Sequence, residues 1–285
     1  QPRAGRREAQ LRARLMRGLL EESFRAAVAA ADPPKILAPY LPAPPRGRTF
    51  VAAAGKAAAS MALAAEKSYR GELEGIAITR YGHGLPTRKI RVVEAGHPVP
   101  DEAGEAAARE ILTRVKGLKE NDLLLALLSG GGSSLLSLPA HDISMEELKS
   151  VTRDLLRSGA AIQEMNTVRK HLSAIHGGRL AAACKAPVVA LIISDVTGDD
   201  PTHIASGPCA PDPTTFADAV EVLRRFGVSP PASIAAHFAK GVRGDAEESL
   251  KPAQQYTMFH PSEVELSETT NRILADVERI KPARI

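Results

Sequence analysis

Residues 121–129 read NDLLLALLS, an apolar run with no polar alternation that breaks into the glycines and serines of SGGGSS at 129–134. A strand with one face in water alternates polar and apolar residues. One that does not is covered on both faces, as in the centre of a parallel sheet flanked by helices. The run is far short of the roughly 18 apolar residues of a membrane span. A second such run, APVVALIISDV at 186–196, repeats the pattern, and TFVAAAG (49–55), EGIAITR (74–80) and KIRVVEA (89–95) read as further strands. Helical patterns lie between them: KAAASMALAAEKSY (56–69), DEAGEAAAREILTRVKG (101–117), then 145–159, 161–172, 177–184 and TTFADAVEVLRRFG (214–227). Asp101 is placed to cap the helix at 101–117 and Gly117 to end it. An N-terminal helix over 9–30 carries Leu11, Leu15, Leu19 and Phe24 near one stripe.

Strands alternating with helices predict a doubly wound α/β fold with a mostly parallel sheet. After about residue 228 the pattern weakens. Residues 241–267 are polar and broken by Pro and Gly, and a short amphipathic helix is expected over 268–280. No second set of strands is expected, so the reading is one domain over 1–250 and an atypical tail or linker remnant over 251–285.

Composition narrows the function classes. The 285-residue chain is 44% hydrophobic and 25% charged, as in globular proteins, and has no apolar stretch long enough to span a membrane. Its net charge of +4 equals the excess of seven Arg over three Glu in the first thirty residues, so the remainder is balanced. No basic patch interleaved with aromatics points to nucleic acid. The basic N-terminal helix reads as an exposed face, with an anionic partner or a transit peptide as alternatives. The chain starts at Gln1 without a signal-peptide pattern, so its start is expected to be trimmed. Cys184 and Cys209 form no CxxC and read as small buried residues of a cytoplasmic protein.

Glycines let backbone N–H groups approach a ligand closely and reach φ > 0, so SGGGSS is a candidate cradle for a carboxylate or phosphate. Its members are Ser129, Gly130, Gly131, Gly132, Ser133 and Ser134; the alternative is a flexible turn. Three familiar motifs fail. Gly55-Lys56 is followed by Ala57, with Phe50 where a Walker A loop needs glycine. Leu135 stands where both the dinucleotide fingerprint and the nucleophile elbow need glycine. Lys56, after a strand and at a helix start, offers a point charge to an anion. Asp195, Asp199 and Asp200 in ISDVTGDDP present oxygen ligands suited to Mg²⁺, or form a turn. Asn166, Arg169, Lys170, His171 and Arg179 form either an anion-reaching helix turn or a solvated basic face. No histidine spacing suggests zinc, and His97 and His171 read as structural.

Four stretches, YGHGLPTRKIRVVEAGHPVPDEAG, LLSGGGSSLLSLPA, MNTVRKHLSAIHGGRLA and ISDVTGDDPTHIASGPCAPDPTTFADA, resemble the glycerate 2-kinase family, also called glycerate kinase type 2 or MOFRL. The resemblance covers about residues 10–250 and keeps the order of the motifs. It implies a Rossmann-like N-terminal domain, a smaller second α/β domain, and a cleft between them. It also implies transfer of the γ-phosphate of ATP to the 2-hydroxyl of D-glycerate with a divalent metal, Mg²⁺. Lys56 matches the family's active-site lysine, Ser129 to Ser133 its substrate loop, and Asp195 its acidic position. Asp195 is a candidate both for the base and, with Asp200, for the metal; Asn166 and Arg169 are candidate anion contacts. The match stops near residue 252, so the second domain and its expected catalytic arginine are taken as missing, and a homodimer is one way to complete the site. The alternatives are a hydroxypyruvate reductase-type oxidoreductase and a non-catalytic lobe that binds glycerate or a partner.

Overall fold

The computed structural model describes residues 2–252. These fall into two units. The first holds α1 (Pro2–Ala30) and α2 (Pro33–Ile36). The second, from Leu37 on, carries the sheet. Its elements are β1 (Thr49–Ala54), α3 (Ala58–Ser68), β2 (Leu73–Arg80), β3 (Ile90–Ala95), α4 (Glu102–Lys116), β4 (Leu123–Ser129), α5 (Gly132–Leu135), α6 (Met145–Arg157), α7 (Ile162–His171), α8 (Arg179–Ala182), β5 (Val188–Ile193), α9 (Phe216–Arg225) and α10 (Ala232–Arg243). The five strands lie in the order β3-β2-β1-β4-β5, every pair parallel.

The burial of β4 shows why the sequence run is continuous. Leu124, Ala126 and Leu128 face one side of the sheet and pack with Ala108, Ile111 and Val115 of α4. Leu125 and Leu127 face the other and pack with Met61, Ala62 and Ala65 of α3. Both faces are dry, so neither has room for a polar residue. A third cluster stands apart from the sheet, built by α6, α7, α9 and α10 around Leu155, Met165, Phe216 and Phe238.

Helix ends follow the sequence closely. Asp101 accepts from Gly104 N–H, and capping boxes start α6 (Ser144, Glu147) and α9 (Thr215, Asp218). The sequence reading did not register α10. Pro230 and Pro231 precede it, a signature of a helix start as much as of a broken segment, and its buried residues are Ile234 and Phe238, one turn apart. The helix expected over 268–280 lies outside the described residues. No described helix is long and apolar enough to cross a membrane.

One polar contact ties the helical cluster to the segment that follows β5. Lys170 of α7, 1% exposed, meets Asp212, 0% exposed, with Nζ 2.7 Å from Oδ1. Thr214 donates to the same oxygen from its N–H and its hydroxyl. Burial works against the charge on Asp212, but the Lys170 and Thr214 donors and the Lys170 charge outweigh it and hold the carboxyl below its usual range. The carboxyl is therefore more acidic folded than unfolded. Its contribution is complete above about pH 4 and is lost as pH falls through the lowered folded value. Asp212→Asn should cost about 3–5 kcal/mol in urea unfolding at pH 7, the scale of a broken buried pair. The gap to wild type should narrow steadily below about pH 4. A gap that is constant with pH would assign the loss to packing instead.

Candidate functional site

The strand order reverses between β1 and β4, and both strands end at the same edge of the sheet. In doubly wound sheets this is where a crevice opens for ligand. β1 runs out into Gly55-Lys56 and β4 into Gly130-Gly131-Gly132. The two loops are stitched together: Lys56 N–H donates to Gly130 O at 2.9 Å, and Ala57 N–H donates to Ser129 Oγ at 3.0 Å. Ser129 is thus a buried joint, its hydroxyl occupied in capping α3. Lys56 precedes the first helical residue, Ala58, so it sits in the turn before α3 rather than in its first turn.

Gly131 takes φ 85°, a conformation that L side chains rarely adopt. A Cβ at Gly130 would overlap the Asp195 carboxylate, so the loop backbone runs directly against it. The N–H groups of Gly130, Gly131, Gly132 and Ser133 make no hydrogen bond among the described residues. Lys56 Nζ lies 3.2 Å from Asp195 Oδ2, and both side chains are about half exposed. The structure therefore brings together four sequence-selected features: Lys56, the glycine loop, Ser133 and Asp195.

Ser133 leads to a second group. Its hydroxyl is 2.8 Å from Ser206 Oγ, which donates to Asn166 Oδ1 at 3.4 Å. Ala205 (φ 52°) and Ser206 (φ 57°) both hold the left-handed backbone, an unfavourable conformation for two successive non-glycine residues. Ala205 packs where a Cβ of Gly132 would stand. The turn therefore presses Ser206 onto the glycine loop at a cost in strain.

The residues around Arg169 do not form a solvated basic face. Lys170 and His171 are fully buried, and His171 is bound by Thr167 O and Glu248 Oε1. Arg179 donates to the carbonyls of Lys170 and His176. Arg169, one turn past Asn166 on the same side of α7, is partly buried, and its guanidinium has no hydrogen bond or ion pair among the described residues. Burial alone pushes its pKa down, with no carboxylate to oppose it. Nearby His176 is pushed down to about 3, first by burial and then by the charge of Arg169, so it stays neutral, and its Nε2 has no partner among the described residues.

Asp200 serves its own turn, accepting from Thr202 N–H at 2.9 Å and facing His203 Nε2 at 3.7 Å. Asp199 takes φ 52°, a turn conformation. Among the described residues no three His, Cys, Asp or Glu side chains form a metal-sized group. The donor set fits a metal that uses one or two carboxylates and completes its shell with water and phosphate, as Mg²⁺ does. Both cysteines are free, and burial pushes the Cys209 thiol up to about 12, which removes it as a nucleophile. Sequence reasoning missed Ser206 at this site and read His97 as structural. The signal for Ser206 was the Ala-Ser-Gly turn closing HIASGP; His97 stands beside Gly131, four positions before Asp101, the cap of α4.

Known proteins share this architecture. A Pyrococcus horikoshii glycerate 2-kinase is 48% identical over 208 residues, 72% of this chain and 47% of the relative. An Agrobacterium vitis protein with hydroxypyruvate reductase as a provisional name is 52% identical over 227 residues, 79% of this chain and 52% of that one. The crystal structure of a Thermotoga maritima glycerate kinase superposes with TM-score 0.76 at 36% identity, over 93% of this chain and 63% of that one. The chain thus spans about half the length of the curated relatives it matches. A family model described as "Domain of unknown function (DUF4147)" matches residues 19–239, and the chain belongs to that family, the glycerate kinase type 2 family.

Proposed function

We propose that the protein transfers the γ-phosphoryl group of ATP to the 2-hydroxyl of D-glycerate, giving 2-phosphoglycerate. The observation that carries the reading is the meeting of Lys56, four unbonded loop N–H groups and Asp195 at the strand-order reversal. Phosphoryl transfer asks for positioning and charge neutralisation more than covalent chemistry, and these groups supply both. The glycine-loop amides and Lys56 are suited to the transferring phosphoryl group. Arg169 and the Asn166–Ser206–Ser133 chain are suited to the glycerate carboxylate and hydroxyls. A guanidinium left unpaired in a partly dry site is costly, and a carboxylate arriving beside it restores the balance. Asp195, with Asp200 as a second carboxylate, would hold Mg²⁺ together with ATP. When bound, the ion would neutralise phosphate charge. The relatives named glycerate 2-kinase support the kinase reading, and the absence of a complete dinucleotide fingerprint argues against the reductase.

Incubating the full-length protein with D-glycerate and Mg-ATP should give a 2-phosphoglycerate signal by phosphorus NMR. Formation of 3-phosphoglycerate alone, or NADH oxidation with hydroxypyruvate in its place, would refute the reading.

Lys56→Ala should lower kcat/KM at least about a hundredfold, roughly 2.7 kcal/mol of transition-state stabilisation, and leave the unfolding midpoint within a few degrees. Near-native turnover would return Lys56 to the role of a surface lysine.

Arg169→Met should separate binding from stability. Loss of a charged hydrogen-bond donor is worth about 1.5–3 kcal/mol, so KM for glycerate should rise at least about tenfold. Removing an unpaired, partly buried charge should also raise the urea midpoint. An unchanged KM would place the carboxylate elsewhere.

A further inference from the structure

We propose that His97 is the base that takes the proton from the substrate hydroxyl as it attacks the phosphoryl group; the assignment rests on the kinase reading above.

His97 follows Gly96 at the carboxyl end of β3. Its Nε2 lies 2.8 Å from where a Cβ on Gly131 would stand, and Lys56 Cγ lies 3.2 Å from the same point. The imidazole and the lysine therefore flank one residue of the anion loop, at the edge where β1 and β4 end. The ring makes no hydrogen bond among the described residues, and it is only partly covered, so substrate can reach it. His171 and His237, by contrast, are held by Thr167 O, Glu248 and His171 O. Asp195, the other candidate base, is already engaged as the ion partner of Lys56 at 3.2 Å.

Three charged groups act on the ring. Lys56 comes from the turn before α3, Arg80 from the end of β2, and Asp195 from beyond β5. Asp101 at the start of α4 lies against Gly96 and accepts from Tyr81 Oη at 2.8 Å. Burial first, then Lys56 and Arg80, lower the His97 pKa; Asp195 pulls the other way. The neutral ring, with one free lone pair, is the prevailing form at neutral pH.

The step balances without another reactant. The substrate oxygen bonds to the γ-phosphorus as the bond from that phosphorus to the β,γ-bridging oxygen breaks. ADP leaves with the electron pair. The hydroxyl proton passes to the unprotonated nitrogen of His97, which later releases it to solvent.

The test is kcat and KM against pH for the full-length protein with D-glycerate and Mg-ATP, followed by ADP release. Wild type should lose kcat/KM on the acid side with a slope of one. His97→Gln should lower kcat about 10²–10⁴-fold, leave KM for glycerate within about threefold, and flatten that acid limb. His97→Ala, checked as folded by its thermal midpoint, should regain part of its rate on addition of imidazole, in proportion to the unprotonated fraction. A His97→Gln enzyme that keeps its kcat within about threefold, or keeps the acid limb, overturns the assignment. A folded His97→Ala enzyme that imidazole does not rescue also overturns it. A wild type that phosphorylates no glycerate overturns the kinase reading and the base with it, whereas an active wild type matched by His97→Gln overturns the base alone.

Discussion

Everything at the candidate site depends on the reversal of strand order between β1 and β4. The two strands pair in parallel along their whole length, from Thr49 opposite Leu123 to Ala54 opposite Leu128. Their chains must leave in opposite directions, one to α3 on one face and one toward the α4 face. Two divergent exits at one edge leave a gap that no strand can fill. Backbone fills it instead: Lys56 N–H on Gly130 O, and Ser129 Oγ under the start of α3. With those bonds made, the next four N–H groups of the loop make no hydrogen bond among the described residues.

Two neighbouring cations on α7 show how the fold sorts charge. Lys170 points into the protein and finds Asp212. Arg169 is only partly buried and meets no carboxylate among the described residues. Sequence cannot separate them, since they are adjacent residues of the same sign. Helical phase separates them: about 100° of rotation sends one to the buried ion pair and leaves the other on the side of Asn166. Lys170 also serves Arg169 indirectly, because the Lys170–Asp212 bond anchors the chain downstream of Ser206 to α7.

Much of the fold was legible in the sequence for a single reason. A strand buried on both sides leaves an unbroken apolar run, so β4 and the alternation around it could be placed from residue types. β5 carries the same kind of run but is the edge strand of the sheet, only partly buried along its whole length. The helix start at Asp101 was legible from a side chain that caps, and Ser144 and Thr215 cap α6 and α9 in the same way. α10 escaped because only Ile234 and Phe238 mark its buried stripe and two prolines precede it. At the site, Lys56, the glycine loop and Asp195 stood out because each follows a strand. His97 also follows a strand, but its neighbours are Gly96, Pro98 and Val99, and a lone histidine there looks like turn furniture. What sequence omits is the packing of β3's exit against β4's exit across two intervening strands. Ser206 was hidden for a related reason: its value lies in a left-handed backbone that residue type does not announce.

The Lys56–Asp195 pair sits in water, both side chains about half exposed, and a pair of that kind contributes about 0–1 kcal/mol. That weakness suits the site. A deeply buried partner such as Asp212 would hold a lysine too firmly for an anion to compete. An exposed partner keeps the Lys56 head group near the loop amides and gives it up readily to a more highly charged ligand. The contrast between the two lysine–aspartate pairs, one dry and one wet, is thus a division between holding the scaffold together and keeping a cation available. The glycine loop marks the boundary. Gly130 lies against Asp195 and Gly131 against Lys56 and His97, so a side chain at either position would push the three groups apart before a ligand could draw them together.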